Sequence, residues 1–126
     1  MRKLISAAVI VAAVAASAWA AGAHSHLDPK GKSETISGEI LDMGCYMAHE
    51  GKGKKHAKCA AACVAGGAPI GLLTKEGKVY LVVGDHENEK PYLEAKALAG
   101  ANAKISGMVY TRGGLTAVIV KSAEKQ

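Results

Sequence analysis

The 126-residue sequence contains no phenylalanine, and its only tryptophan, Trp19, lies in the N-terminal run. Beyond that run the aromatics are four tyrosines, Tyr46, Tyr80, Tyr92 and Tyr110. Proteins that hold single-stranded nucleic acid stack bases on aromatic side chains along a basic groove, so this scarcity argues against a nucleic-acid ligand. Long apolar runs are scarce too. Leu4 to Ala16 is uncharged and apolar, but it is shorter than the ~20 residues a membrane-spanning helix requires. There is no Cys-x-x-Cys pair, the signature of thioredoxin-like redox enzymes, and no Cys-x-x-Cys-His for covalent haem attachment.

What stands at the N-terminus is export chemistry. Met1-Arg2-Lys3 is a short positive segment, the apolar run follows, and Ala18-Trp19-Ala20 and Ala21-Gly22-Ala23 are two small-residue cleavage sites. Residues 1–23 therefore read as a signal peptide, and neither site carries the Cys of a lipoprotein. The expected mature chain is periplasmic or secreted, with no membrane anchor after cleavage. Removing Arg2 and Lys3 takes the 16 basic residues to 14 against 11 acidic ones, a formal charge of +3. That excess implies no polyanionic partner. The mature chain can bury one small core and would benefit from a covalent or metal staple. It keeps all three cysteines, Cys45, Cys59 and Cys63. An odd count in an oxidising compartment leaves one thiol unpaired, metal-bound or joined to a partner.

Residues 24–34 are polar, contain Pro29 and Gly31, and read as a flexible lead-in. Thr35–Asp42 has strand-like spacing. Residues 43–67 form an insertion, whose Ala-rich run His56–Ala65 predicts a helix stopped by Gly66-Gly67. Ile70–Thr74 and Lys78–Val83 predict a hairpin with Gly77 at the left-handed turn position. Asn88 is a candidate N-cap for a short helix with Pro91 in its first turn and Gly100 past its end. Ala103–Thr111 and Leu115–Lys121 predict a second hairpin across Arg112-Gly113-Gly114, and 123–126 a tail.

Without the insertion, this order is that of a five-stranded OB-like barrel, mainly β with short helices, over residues 35–122. The stretch L-A-G-A-N-A-K-I-S-G-M-V-Y-T-R-G-G-L-T-A-V-I-V resembles the helix end and last two strands of secreted bacterial OB-like domains. The segment G-E-I-L-D-M-G-C-Y-M-A-H is similar to the start of small exported bacterial proteins that remain poorly characterised. The likeness spans most of 35–121 and implies the fold. Function has to come from the residues the fold carries.

Those residues begin at Met43-Gly-Cys45-Tyr-Met47-Ala-His49. If the first strand continues here, Met43, Cys45, Met47 and His49 project from one face. Thiolate and thioether are soft ligands that suit Cu(I), and imidazole suits copper or zinc. Met43 and Met47 read more readily as core residues of the inner face, with Cys45 in a disulfide, than as ligands. On a helix, His56, Cys59 and Cys63 form a second stripe. The three cysteines with His49 or His56 then make a tetrahedral Cys₃His set. Lys52, Lys54, Lys55 and Lys58 stand close in sequence, where cations favour the thiolate. They also crowd a helix start that has no capping side chain. The Cys-x-x-x-Cys spacing resembles that of exported copper proteins of the cytochrome-oxidase assembly type and of the dinuclear copper centre, which implies the ligand chemistry only. If cleavage follows Ala23, His24-Ser25-His26 begins the chain, and its amine, amides and His26 can form a square-planar Cu(II) or Ni(II) site. His86, Asp85, Glu87 and Glu89 read as surface turn residues.

Three functional readings follow. The preferred one is a non-enzymatic carrier or accessory protein for a transition-metal ion, copper before zinc, with a periplasmic partner protein. The alternative is a binding or assembly module stapled by a Cys45–Cys59 or Cys45–Cys63 disulfide, leaving one thiol for a partner. The third is a thiol–disulfide enzyme.

Overall fold

In the first strand, β1 (Lys32–Asp42), alternation sends Ile36, Gly38 and Ile40 inward while Thr35 and Ser37 face solvent. The computed structural model describes residues 30–126, and in it β1 pairs with two different strands along its 11 residues. Its first part pairs antiparallel with β4 (Asn102–Arg112), from Lys32↔Val109 to Glu39↔Asn102. Its last part pairs with β2 (Ile70–Leu73), from Glu39↔Leu73 to Asp42↔Ile70. β2 turns through a tight hairpin into β3 (Val79–Val83), with the Gly77 amide donating to the Thr74 carbonyl and Gly77 at φ 82°. β3 then pairs in parallel with β5 (Leu115–Lys125), and β5 pairs antiparallel with β4. The strands close in the order β1-β2-β3-β5-β4, an OB-like barrel.

Inward-facing branched side chains fill this barrel: Ile36, Ile40, Ile70, Leu72, Val82, Ile105, Val118 and Val120 are all buried. Each contributes about 1.5–3 kcal/mol of burial. Three short helices close over it. α1 (Met43–His49) and α2 (Ala57–Ala65) lie between β1 and β2; α3 (Lys90–Ala97) lies between β3 and β4. α2 joins the core through Val64 and α3 through Ala95. Among the described residues no helix is long and apolar enough to cross a membrane.

The structure departs from the sequence reading in five places. β1 starts at Lys32, so the end of the expected lead-in is strand, held by pairing with β4. β5 runs to Lys125, and the Gln126 amide donates to the Asn102 carbonyl at 2.9 Å, so the expected tail belongs to the sheet. Met43–His49 is a helix and not a strand continuation, because Asp42 caps it. Glu89, not Asn88, precedes α3, while Asn88 forms a backbone bridge with Asp85. Asp85 is 7 % exposed and not solvated, since it ion-pairs with Lys121 from β5. The signal peptide, His24 and His26 lie outside the described residues.

Candidate metal centre

β1 ends where Asp42 turns its own side chain onto the chain ahead. Its backbone is extended, and Oδ1 accepts from the Gly44 amide at 2.8 Å, which caps α1. The helix lasts two turns. Glu50 takes the left-handed conformation at φ 55°, and its amide donates back to the Tyr46 carbonyl at 2.9 Å. Within α1, Cys45 and His49 are four residues apart and so share a face. The returning loop is anchored where the Gly53 amide donates to Glu39 Oε1 of β1 at 2.6 Å.

α2 begins at His56 with no side-chain cap, as the sequence implied. Ala60 and Val64, 3 % and 1 % exposed, fix its inner face on the barrel. Cys59 and Cys63 precede them by one residue each and are carried to the side of that face, toward α1. Gly51 is buried against His56: a Cβ there would lie 2.6 Å from Nε2. Only a residue without a side chain lets the loop pass so near the imidazole.

Five donors from two segments, α1 and α2 with its N-cap His56, meet here. The sulfurs of Cys45, Cys59 and Cys63 all lie within 4.8 Å of one another. One ring nitrogen each of His49 and His56 and the Cys45 sulfur also lie within 4.8 Å of one another. The two imidazoles meet edge to face, with centroids 5.5 Å apart at 78°. The cysteines are free thiols. Three thiolates on one tetrahedral ion at ~2.3 Å are separated by roughly 3.8 Å, so the sulfurs need to close by about 1 Å at most. The cluster could hold a metal ion.

Among the described residues, two buried side-chain polar atoms lack a hydrogen-bond partner, Asp42 Oδ2 and His56 Nε2. Both belong to this cluster. Buried polar atoms left unpaired cost free energy, and the His56 imidazole is one of the donors that converge here. Asp42 is 1 % exposed and bears on the thiols of Cys45 and Cys63. The Cys45 thiol holds the Asp42 carboxyl below the ordinary carboxylate range, with the Gly44 and Cys45 amides assisting against burial. In return the Asp42 carboxylate, helped by desolvation, pushes Cys45 up to about 12. Cys63 is raised as well, by Asp42 first and by Cys59 next.

That direction corrects the expectation drawn from the nearby lysines. At Cys45 and Cys63 the buried carboxylate outweighs them. Lys52 is turned to Glu50, 3.7 Å away, and lies 6.0 Å from the centre of the Tyr46 ring. Cys45 and Cys63 thus hold their protons more tightly than ordinary thiols, and a metal ion bound there would have to displace them.

The expected ligands separate cleanly. Cys45, His49, His56, Cys59 and Cys63 converge. Met47 is 74 % exposed, and Met43 packs its sulfur against Gly71 of β2. In a helix residues 43 and 45 point about 200° apart, so the one-face arrangement of Met43, Cys45, Met47 and His49 is lost once the segment is helical. Two contributors went unrecognised in the sequence. Asp42 could have been found as an Asp immediately before a short helical segment, a capping signal. Gly51 carries no signal without knowledge that His56 folds over it.

No family model matches the chain, and neither a curated protein nor a solved structure matches it. The fold and the site together define its class: an OB-like barrel whose first long connection carries a Cys/His cluster able to take a metal ion.

Proposed function

We propose that the chain is an exported carrier or accessory protein for a soft transition-metal ion, Cu(I) before Zn(II). The observation behind this reading is the convergence of the Cys45, Cys59 and Cys63 sulfurs within 4.8 Å from two different helices. Three thiolates and an imidazole form a soft donor set, which favours Cu(I) and also accommodates tetrahedral zinc. Cys45, Cys59 and Cys63 supply the thiolates, with His49 or His56 as a further ligand. Cys59 and His49 are exposed, so a held ion sits within reach of a docking partner protein in the periplasm. This suits delivery of the ion better than chemistry upon it, and no catalytic residue is assigned.

The test is native mass spectrometry on protein exported to the periplasm and protected from oxidation, followed by competition between Cu(I) and Zn(II). A mass increased by bound metal with three reduced cysteines supports the carrier. Preference for zinc over Cu(I) removes copper from the proposal. The second reading rests on the same proximity of thiols: oxidised, Cys45 bridges Cys59 or Cys63 and staples the loop. A metal-free mass two hydrogens lighter would select it.

A further inference from the structure

The five donors do not form one shell. They form two triads, Cys45–Cys59–Cys63 and Cys45–His49–His56, and the Cys45 sulfur is the single atom common to both. We propose that the cluster takes two soft metal ions, one in each triad, bridged by the Cys45 thiolate. This rests on the carrier reading above and extends it from one ion to a dinuclear centre.

The argument is geometric first. A d¹⁰ ion such as Cu(I) or Zn(II) accepts up to four donors, so one ion cannot use all five and leaves a histidine over. Within each triad the donors already lie within 4.8 Å of each other. That condition holds for three thiols around one point and for one thiol with two imidazoles around another. Cys59 and Cys63 are fixed relative to each other by one helical turn of α2, and Cys45 and His49 by one turn of α1. Cys45 is placed between these pairs and presents one sulfur to both. Thiolate sulfur has lone pairs enough for two metals. With metal–sulfur distances of ~2.3 Å, ions on a shared sulfur lie no more than about 4.6 Å apart.

The second point is the unpaired state of His56. Its Nε2 is buried without a hydrogen-bond partner, while Gly51 closes on the ring. A site formed by Cys59, Cys63 and Cys45 alone gives this imidazole nothing to do. In the second triad it is a ligand, and a ligating imidazole accounts for a histidine held in place by the loop. Charge is the third point. Two monovalent ions against three thiolates leave one net negative charge, beside the Asp42 carboxylate. Lys54, Lys55 and Lys58, on the same loop and helix, carry the opposite charge. Loading displaces the three thiol protons to solvent and involves no change of oxidation state.

The test is anaerobic titration of the reduced full chain with Cu(I), in competition with a chromophoric Cu(I) chelator, with bound ions counted by native mass spectrometry. Wild type is expected to bind two. The H49A/H56A variant is expected to bind one, and so is C59S/C63S, because each keeps one triad. C45S is expected to lose both tight sites. X-ray absorption should show a metal–metal path at two equivalents that is absent at one. Circular dichroism of each metal-free variant confirms that the barrel is folded, which separates ligand loss from unfolding. Saturation of the wild type at one ion overturns the dinuclear centre and leaves the carrier intact. Two ions retained in H49A/H56A or in C45S also overturns it. No bound metal in the wild type overturns both proposals.

Discussion

The Asp42 carboxylate and the Cys45 thiol shift each other's proton affinity in opposite directions. The thiol keeps the carboxyl ionised, and the carboxylate pushes the thiol from 9.0 up to about 12. The metal-free protein should therefore react slowly at Cys45 with an alkylating agent at pH 8–9, where thiolate is the nucleophile. Asp42→Asn removes the charge and can still cap α1, and it should speed that reaction at least about tenfold, one pKa unit of thiolate. Asp42→Ala removes the cap too and should cost about 0.5–2 kcal/mol of stability. Peptide mapping after timed alkylation, with thermal unfolding alongside, separates the two roles.

Acid sensitivity should come chiefly from the two buried carboxylates. Asp85 is held below its ordinary value of 3.8 by Lys121 first and by the Glu87 amide next, and Asp42 is lowered by the Cys45 thiol. A carboxyl that is more acidic when folded stabilises the protein above its unfolded pKa. That contribution is lost as pH falls through the folded value. The melting temperature should hold from pH 7 to about pH 4 and then fall, and Asp85→Asn should flatten the fall. Cys45 has the opposite sign: its contribution is present below the ordinary value of 9.0 and is lost as pH rises toward about 12. Melting curves in metal-free buffer from pH 2 to 11 test both limbs.

Gly51→Ala should damage the histidine side of the cluster without unfolding the barrel. The new Cβ would lie 2.6 Å from His56 Nε2. Overpacking of this kind costs about 1–3 kcal/mol. Adding His56→Ala should relieve much of that cost, and the double-mutant cycle gives the coupling. An additive cycle would show that the two residues do not press on each other.

The methionines offer a control. Met47 is 74 % exposed, so Met47→Ala should leave metal affinity unchanged and stability within about 0.5 kcal/mol. Met43→Ala should lower stability more, because it strips packing from Gly71. Isothermal titration with Cu(I) on each variant measures the first claim. A tenfold loss of affinity in Met47→Ala would place its thioether among the ligands.

Much of the barrel is legible in the sequence because alternating Ile, Leu and Val residues in strands reveal their own buried face, and Gly77 marks its turn. The helix at His56–Ala65 is legible for similar reasons, in its alanines and the Gly66-Gly67 stop. The first part of the site misleads. Met43, Cys45, Met47 and His49 alternate with a strand's period, and only the side chain of Asp42, bonded to Gly44, turns the segment into a helix. That local hydrogen bond outweighs the pattern and changes the partner of Cys45 from Met47 to His49. The burial of Asp85 is similarly hidden, since its partner Lys121 is distant in sequence and meets it only when β3 and β5 pair in parallel.

The loop that carries the ligands leaves and rejoins the barrel at a single neck. Asp42 pairs with Ile70, and the Met43 amide donates to the Pro69 carbonyl at 3.0 Å. Between these points the segment is held by the Gly53 amide on Glu39 and by Ala60 and Val64 on the barrel. Closing a loop depends only weakly on its length, with about 0.6 kcal/mol for each doubling. The segment is therefore a cassette whose ligands can vary as long as Ala60 and Val64 still cover the core. Exchanging Cys59, Cys63 or His49, which lie off that inner face, should retune the ligands while the strands keep their register.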